Sequence, residues 1–135
     1  MKHFKRILLL LIVIVTTMAY TQKKTRIVFF GDSITQMGVD PGGYITKMRS
    51  TLQQRSLADQ YELIGAGIGG NKVYDLLFRL DNDVINQKPD VVVIYIGIND
   101  VWHKSLAGTG TDTDRFQRFY QEIIDKLKSK NIKVI

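Results

Sequence analysis

Three short connections hold most of the groups in this 135-residue chain that could do chemistry. They read Gly31-Asp32-Ser33-Ile34-Thr35, Gly65-Ala66-Gly67-Ile68-Gly69-Gly70-Asn71 and Gly97-Ile98-Asn99-Asp100. The first offers the hydroxyl of Ser33, the second backbone N–H groups in tight turns from Gly67 to Asn71, and the third the side-chain amide of Asn99. A nucleophile with donors aimed at a developing oxyanion is what acyl transfer requires. Other chemistries have less to work with. The chain has no cysteine, which excludes disulfide scaffolds, thiolate zinc sites and cysteine nucleophiles. Its two histidines, His3 and His103, leave few places for imidazole chemistry.

These connections need elements to hold them. Each follows an apolar, β-branched run directly: 26–30, 61–64 and 91–96, with a fourth run at 132–135. Helical patterns fill the gaps, the arrangement of βαβ units and a parallel sheet. Tyr44, Ile45, Met48 and Leu52 recur at helical spacing in the first gap, and Val73, Leu76, Leu77 and Leu80 in the second. The clearest helix is 114–129, where Phe116, Phe119, Tyr120, Ile123, Ile124 and Leu127 make one apolar face. Asp112 and Thr113 mark its start, and Lys126, Lys128 and Lys130 suit the negative end of its dipole. The run 91–96 does not alternate, which predicts a strand covered on both faces. In an open doubly wound sheet ligands bind at the carboxyl ends of the strands. With the common strand order 2-1-3-4, the three connections become neighbours there. The expected fold is one three-layer α/β/α domain of flavodoxin-like topology.

The formal net charge of +6 points to nucleic acid only until it is located. Residues 1–26 carry six basic side chains and no acid, and the remaining thirteen basic residues face thirteen acidic ones. A nucleic-acid binder needs its basic excess on the folded surface. The terminal segment instead reads as a secretory signal over 1–19. Residues 1–6 are cationic, 7–15 are uninterruptedly apolar, and Thr17-Met18-Ala19 presents small residues to a signal peptidase. Nine apolar residues fall short of the roughly 20 that a spanning helix needs. The expectation is therefore an exported protein, periplasmic or secreted, that meets the membrane only through this segment. An uncleaved amino-terminal anchor is the alternative. Oligomeric state is not legible.

Phe-Phe-Gly-Asp-Ser-Ile-Thr at 29–35 resembles the first block of the SGNH, or GDSL-type, hydrolase superfamily. Gly67-Ile68-Gly69-Gly70-Asn71 resembles its second block, and Gly97-Ile98-Asn99-Asp100 its third. The blocks arrive in order over residues 26–135, each at the end of a run expected to form a strand. The resemblance implies a serine esterase or lipase without cofactor or metal, acting on a small-molecule, carbohydrate or lipid ester. It makes Ser33 the nucleophile, and it makes the Ser33 N–H, the Gly70 N–H and the Asn99 amide the oxyanion hole. Asp32 becomes a turn residue tying down the loop that presents Ser33. The family's fourth block, an Asp-x-x-His near the carboxyl end that supplies the general base, has no counterpart after residue 103. The domain over 20–135 is accordingly read as a partial one, a fragment of a longer open reading frame. The alternative, from another class, is a truncated relative that binds without turnover. Gly65 and Gly69 also depart from the Asn and Ser that many relatives carry.

Four local patterns compete with this reading. Asp100-Val101-Trp102-His103 spells Asp-x-x-His, but Asn99 lies four residues before His103. One short segment would then have to reach both sides of the serine. Trp102 and His103, with Asp32, are better taken as lining the substrate cleft or packing near it. Gly65-Ala66-Gly67-Ile68-Gly69-Gly70 also satisfies the dinucleotide fingerprint. The acidic partner it wants, Asp90, stands at the wrong end of the third strand. An aspartyl-phosphate site at Asp32 lacks its second aspartate, since Ile34 stands there. The run from Gly108 to Asp114 has only two carboxylates, both explained as helix-start residues rather than calcium ligands.

Overall fold

The computed structural model describes residues 23–135. The expected signal segment, 1–19, lies outside the described residues. Four parallel strands are formed: β1 (Thr25–Gly31), β2 (Tyr61–Gly67), β3 (Val91–Tyr95) and β4 (Lys133–Val134). Their order is β2-β1-β3-β4, the reversal after β1 that a doubly wound sheet requires. Gly31 pairs with Gly67 on one side and with Tyr95 on the other. The three glycine-containing connections therefore leave the sheet side by side.

Five α-helices connect the strands among the described residues: α1 (Ser33–Met37), α2 (Tyr44–Gln54), α3 (Val73–Asp83), α4 (Ile98–Ala107) and α5 (Thr113–Ser129). Strand periodicity divides the apolar side chains between two cores. Val28, Phe30 and Val92 face α3 and α5, where Val73, Leu76, Leu80, Ile123 and Leu127 are fully buried. Phe29, Leu63 and Ile45 make the smaller core under α2, with Ile27, Tyr61 and Val93 at its margin. The expectation that β3 is covered on both faces needs correction. Val92 is fully buried toward α3 and α5, whereas Val91 and Val93 are half-buried and Tyr95 is 55% exposed. α2 shields the β1–β2 side of that face and does not extend over β3 among the described residues.

Two helices escaped the sequence pattern. α1 is five residues long, too short to show an apolar period. α4 reverses the usual arrangement, burying Asn99 and Asp100 while Ile98, Val101, Trp102 and Leu106 face outward. Asn99 thus sits in the first turn of a helix rather than in an open loop.

Candidate active site

The nucleophile candidate is placed by a tight strand-to-helix junction. Asp32 is the N-cap of α1, and its carboxylate accepts a hydrogen bond of 2.9 Å from the Ile34 N–H. Its carbonyl accepts from the Gln36 N–H at 2.9 Å, so one residue fixes both ends of the turn. At 1% exposure Asp32 is spent within the loop rather than turned to a substrate cleft, unlike the expectation that it lines one. Ser33, the next residue, is half-buried. Beneath it Thr35 is fully buried and accepts a hydrogen bond of 3.2 Å from the Tyr44 hydroxyl. Burial pushes the Tyr44 phenol above its usual range, against the lowering effect of that bond.

The glycine loop closes over this junction. A Cβ on Gly67 would lie 2.0 Å from the Gln36 nitrogen, so only glycine lets β2 end this close to α1. A Cβ on Gly69 would come 3.8 Å from that of Ser33, which puts the loop beside the serine. Gln36 holds it there, its Oε1 accepting from the Gly69 N–H at 2.8 Å. Residues 68–71 form a turn closed by a bond from the Asn71 N–H to the Ile68 carbonyl, with Gly70 at φ +76°. That is the left-handed position of a type II turn, where glycine is favoured. Within this turn the Ile68 N–H is bonded to Gly31, the Gly69 N–H to Gln36 and the Asn71 N–H to Ile68. The Gly70 N–H has no acceptor among the described residues, and neither does the Ser33 N–H.

The third connection grips the second. Asn99, 4% exposed, donates one N–H of its amide to the Asn71 carbonyl at 2.9 Å. The same nitrogen retains a second N–H. Asp100, 2% exposed, accepts from the Val73 N–H through both oxygens at 3.2 Å. Its carboxylate therefore sits at the positive N-terminus of α3, where a negative charge is favoured. It makes no hydrogen bond to His103, so the Asp-x-x-His spelling at 100–103 does not build an acid–histidine pair. His103 is half-buried on α4 and Trp102 is 56% exposed beside it, their rings 6.2 Å apart.

Sequence reasoning missed Arg79. On α3, with a side chain 13% exposed, it donates to the carbonyls of Gly31 (2.7 Å) and Ala66 (3.1 Å) and to the Asn71 Oδ1 (2.7 Å). Its charge is balanced by Asp83 at 2.8 Å, and the guanidinium lies 4.5 Å from the centre of the Phe30 ring. The signal available in the sequence was an arginine at the margin of the apolar stripe of an amphipathic helix, where a charge drawn inward stays only if it is paired. Gln36 left no such trace. The run 108–114 is accounted for by Asp112, the N-cap of α5, which pairs with Lys104 at 2.5 Å. That ion pair holds the Asp112 carboxyl below the usual range.

This arrangement has counterparts among known proteins. The profile of the GDSL-like lipase/acylhydrolase family matches residues 29–135. The chain belongs to that family. An acetylxylan esterase of Geobacillus stearothermophilus is 39% identical over 90 residues, covering 58% of this chain and 41% of that one. An uncharacterised lipoprotein of Bacillus subtilis (strain 168) is 28% identical over 137 residues, covering 100% of this chain and 56% of its own. The crystal structure of an acetyl xylan esterase, AlAXEase, superposes with a TM-score of 0.81 at 60% identity, over 82% of this chain and 56% of that one. The chain thus spans about half the length of these relatives. Solved catalytic mutants of the Geobacillus acetylxylan esterase carry alanine in place of a serine, an aspartate or a histidine.

Proposed function

We propose that the protein is a serine ester hydrolase that removes acetyl groups from a polysaccharide, with acetylated xylan as the substrate class. The support is a set of unbonded donors on the serine junction, on the glycine loop beside it and on the helix that grips that loop. The Ser33 N–H, the Gly70 N–H and the second N–H of the Asn99 amide have no acceptor among the described residues, in a region where neighbouring N–H groups do. Donors held ready in this way stabilise negative charge that develops on a carbonyl oxygen during attack. The acetylxylan esterase relatives supply the substrate class, and their serine, aspartate and histidine mutants supply the precedent for the chemistry.

The Ser33 Oγ attacks the ester carbonyl, forming a C–O bond as its proton passes to a base. The carbonyl electron pair moves onto oxygen, where the three donors hold it. Collapse expels the sugar hydroxyl with that proton and leaves an acetyl-enzyme, and water then releases acetate and restores Ser33. The base is the family's Asp-x-x-His histidine, which has no counterpart after His103 in this sequence. Trp102, exposed on the helix that carries Asn99, is the residue proposed to meet the sugar. Export of the protein rests on segment 1–19 and accords with the lipoprotein relative. Among the described residues no helix is long and apolar enough to cross a membrane.

Ser33→Ala in the complete protein, the chain that carries the base, tests the proposal with 4-nitrophenyl acetate and acetylated xylan as substrates. Turnover is expected to fall by at least about a thousandfold. Retention of most activity removes Ser33 from the mechanism, and a parent protein that binds acetylated xylan without hydrolysing either ester establishes the non-catalytic reading instead.

A further inference from the structure

We propose that Arg79 is a positioning residue for the oxyanion hole. Its planar fork sets the distance between the serine junction and the loop that carries the Gly70 N–H. The inference rests on the Ser33 reading above and extends it to a side chain that does not touch substrate. One guanidinium bonds three places at once: the Gly31 carbonyl two residues before Ser33, the Ala66 carbonyl at the end of β2, and the Asn71 side chain next to Gly70. Asn71 passes the constraint on, because its carbonyl holds the Asn99 amide at 2.9 Å. The proposed oxyanion donors thus trace back to a single planar group. Arginine suits the task because its donors diverge in a fixed plane, whereas a lysine ammonium is one charge on a flexible stem. Fold stability alone would not require this geometry. A charge bonded to Asp83 and seated on Phe30 would balance itself without also reaching the ends of β1 and β2 and the Asn71 side chain.

The test separates holding the fold from holding the geometry. Arg79→Lys keeps the cation over Phe30 and beside Asp83 but loses the fork. The variant should stay folded but less stable, since acceptors at Gly31, Ala66 and Asn71 lose donors. Well below its melting temperature kcat should fall about 10- to 100-fold with KM little changed, the size of effect a misplaced reacting group produces. Asn71→Ala removes the acceptor and leaves Arg79 in place, and should give a loss of the same order. Because one of the three Arg79 bonds leads through Asn71 to Asn99, the Arg79→Lys loss should be smaller in an Asn99→Ala background than in the parent. A folded Arg79→Lys protein with parental kcat, a neutral Asn71→Ala, or strictly additive losses would each overturn the proposal. If Ser33→Ala proves active, kinetics no longer report on these donors. The NMR resonances of the Asn99 side-chain amide then decide: a shift and faster proton exchange in Arg79→Lys support the positioning role, and unmoved resonances reject it.

Discussion

Asp32 and Asp100 look alike in the sequence and do different work. Each follows a strand within a glycine-led connection, each stands at or near the start of a helix, and each is at most 2% exposed. Asp32 bonds within its own turn, to the N–H two residues ahead. Asp100 reaches 27 residues back in the chain, to the Val73 N–H at the start of α3. One carboxylate shapes the loop that presents the nucleophile, and the other fastens two connections together. Local capping and long-range fastening use the same chemistry. They differ in how much structure fails when the carboxylate is removed.

The largest expected effect is therefore at Asp100. Asp100→Ala leaves the Val73 N–H buried without a partner, a loss of about 1–3 kcal/mol, with the upper end favoured because the acceptor is charged. It also frees the end of the loop that carries Gly70 and Asn71, so kcat should fall together with stability. Urea denaturation and esterase kinetics on one preparation check both. Asp32→Ala ranks below it. Loss of a capping carboxylate costs typically about 1 kcal/mol, and the bond from the Gln36 N–H to the residue 32 carbonyl survives. Its kinetic loss should appear in kcat, because Ser33 follows the cap directly. A greater destabilisation at position 32 than at position 100 would invert the comparison and make the local turn the fastening element.

The same distinction explains what the sequence disclosed. Strands β1 and β2 and helix α5 follow from apolar periodicity and from connections long enough for a helix, which are local features, whereas the strand order is the common one for such sheets, which the structure adopts. The turn role that the resemblance implies for Asp32 matches its bond to the N–H two positions ahead. Asp100, Gln36 and Arg79 could not be assigned, because their partners are brought near only by parallel pairing of β1 with β2 and β3. α4 was missed for a related reason. Its buried residues, Asn99 and Asp100, are polar and its outward residues apolar, so a search for an inward apolar stripe runs the wrong way. The lack of alternation in β3 predicts cover on both faces, and among the described residues the face carrying Val91, Val93 and Tyr95 is only partly covered.

The smallest expected effect tests the spelling that most resembles a catalytic pair. His103 stands three residues after Asp100, as a base would stand after its orienting acid, yet the Asp100 carboxylate is taken by Val73 through both oxygens. A histidine without that partner lacks the acid that would orient its ring toward the serine. It also shares a helix with Asn99, so taking the serine proton would require one short segment to serve both sides of the nucleophile. His103→Gln should accordingly leave kcat within about threefold, since surface substitutions away from the chemistry are typically mild. The pH–rate profile should keep its shape, because the group that titrates in turnover is not on α4. A fall near that expected for Ser33→Ala, with loss of the acidic limb of the profile, would make His103 the base. Asp100 would then have to leave Val73 in the working enzyme, and Asp100→Ala would act through the base rather than through the loop it fastens.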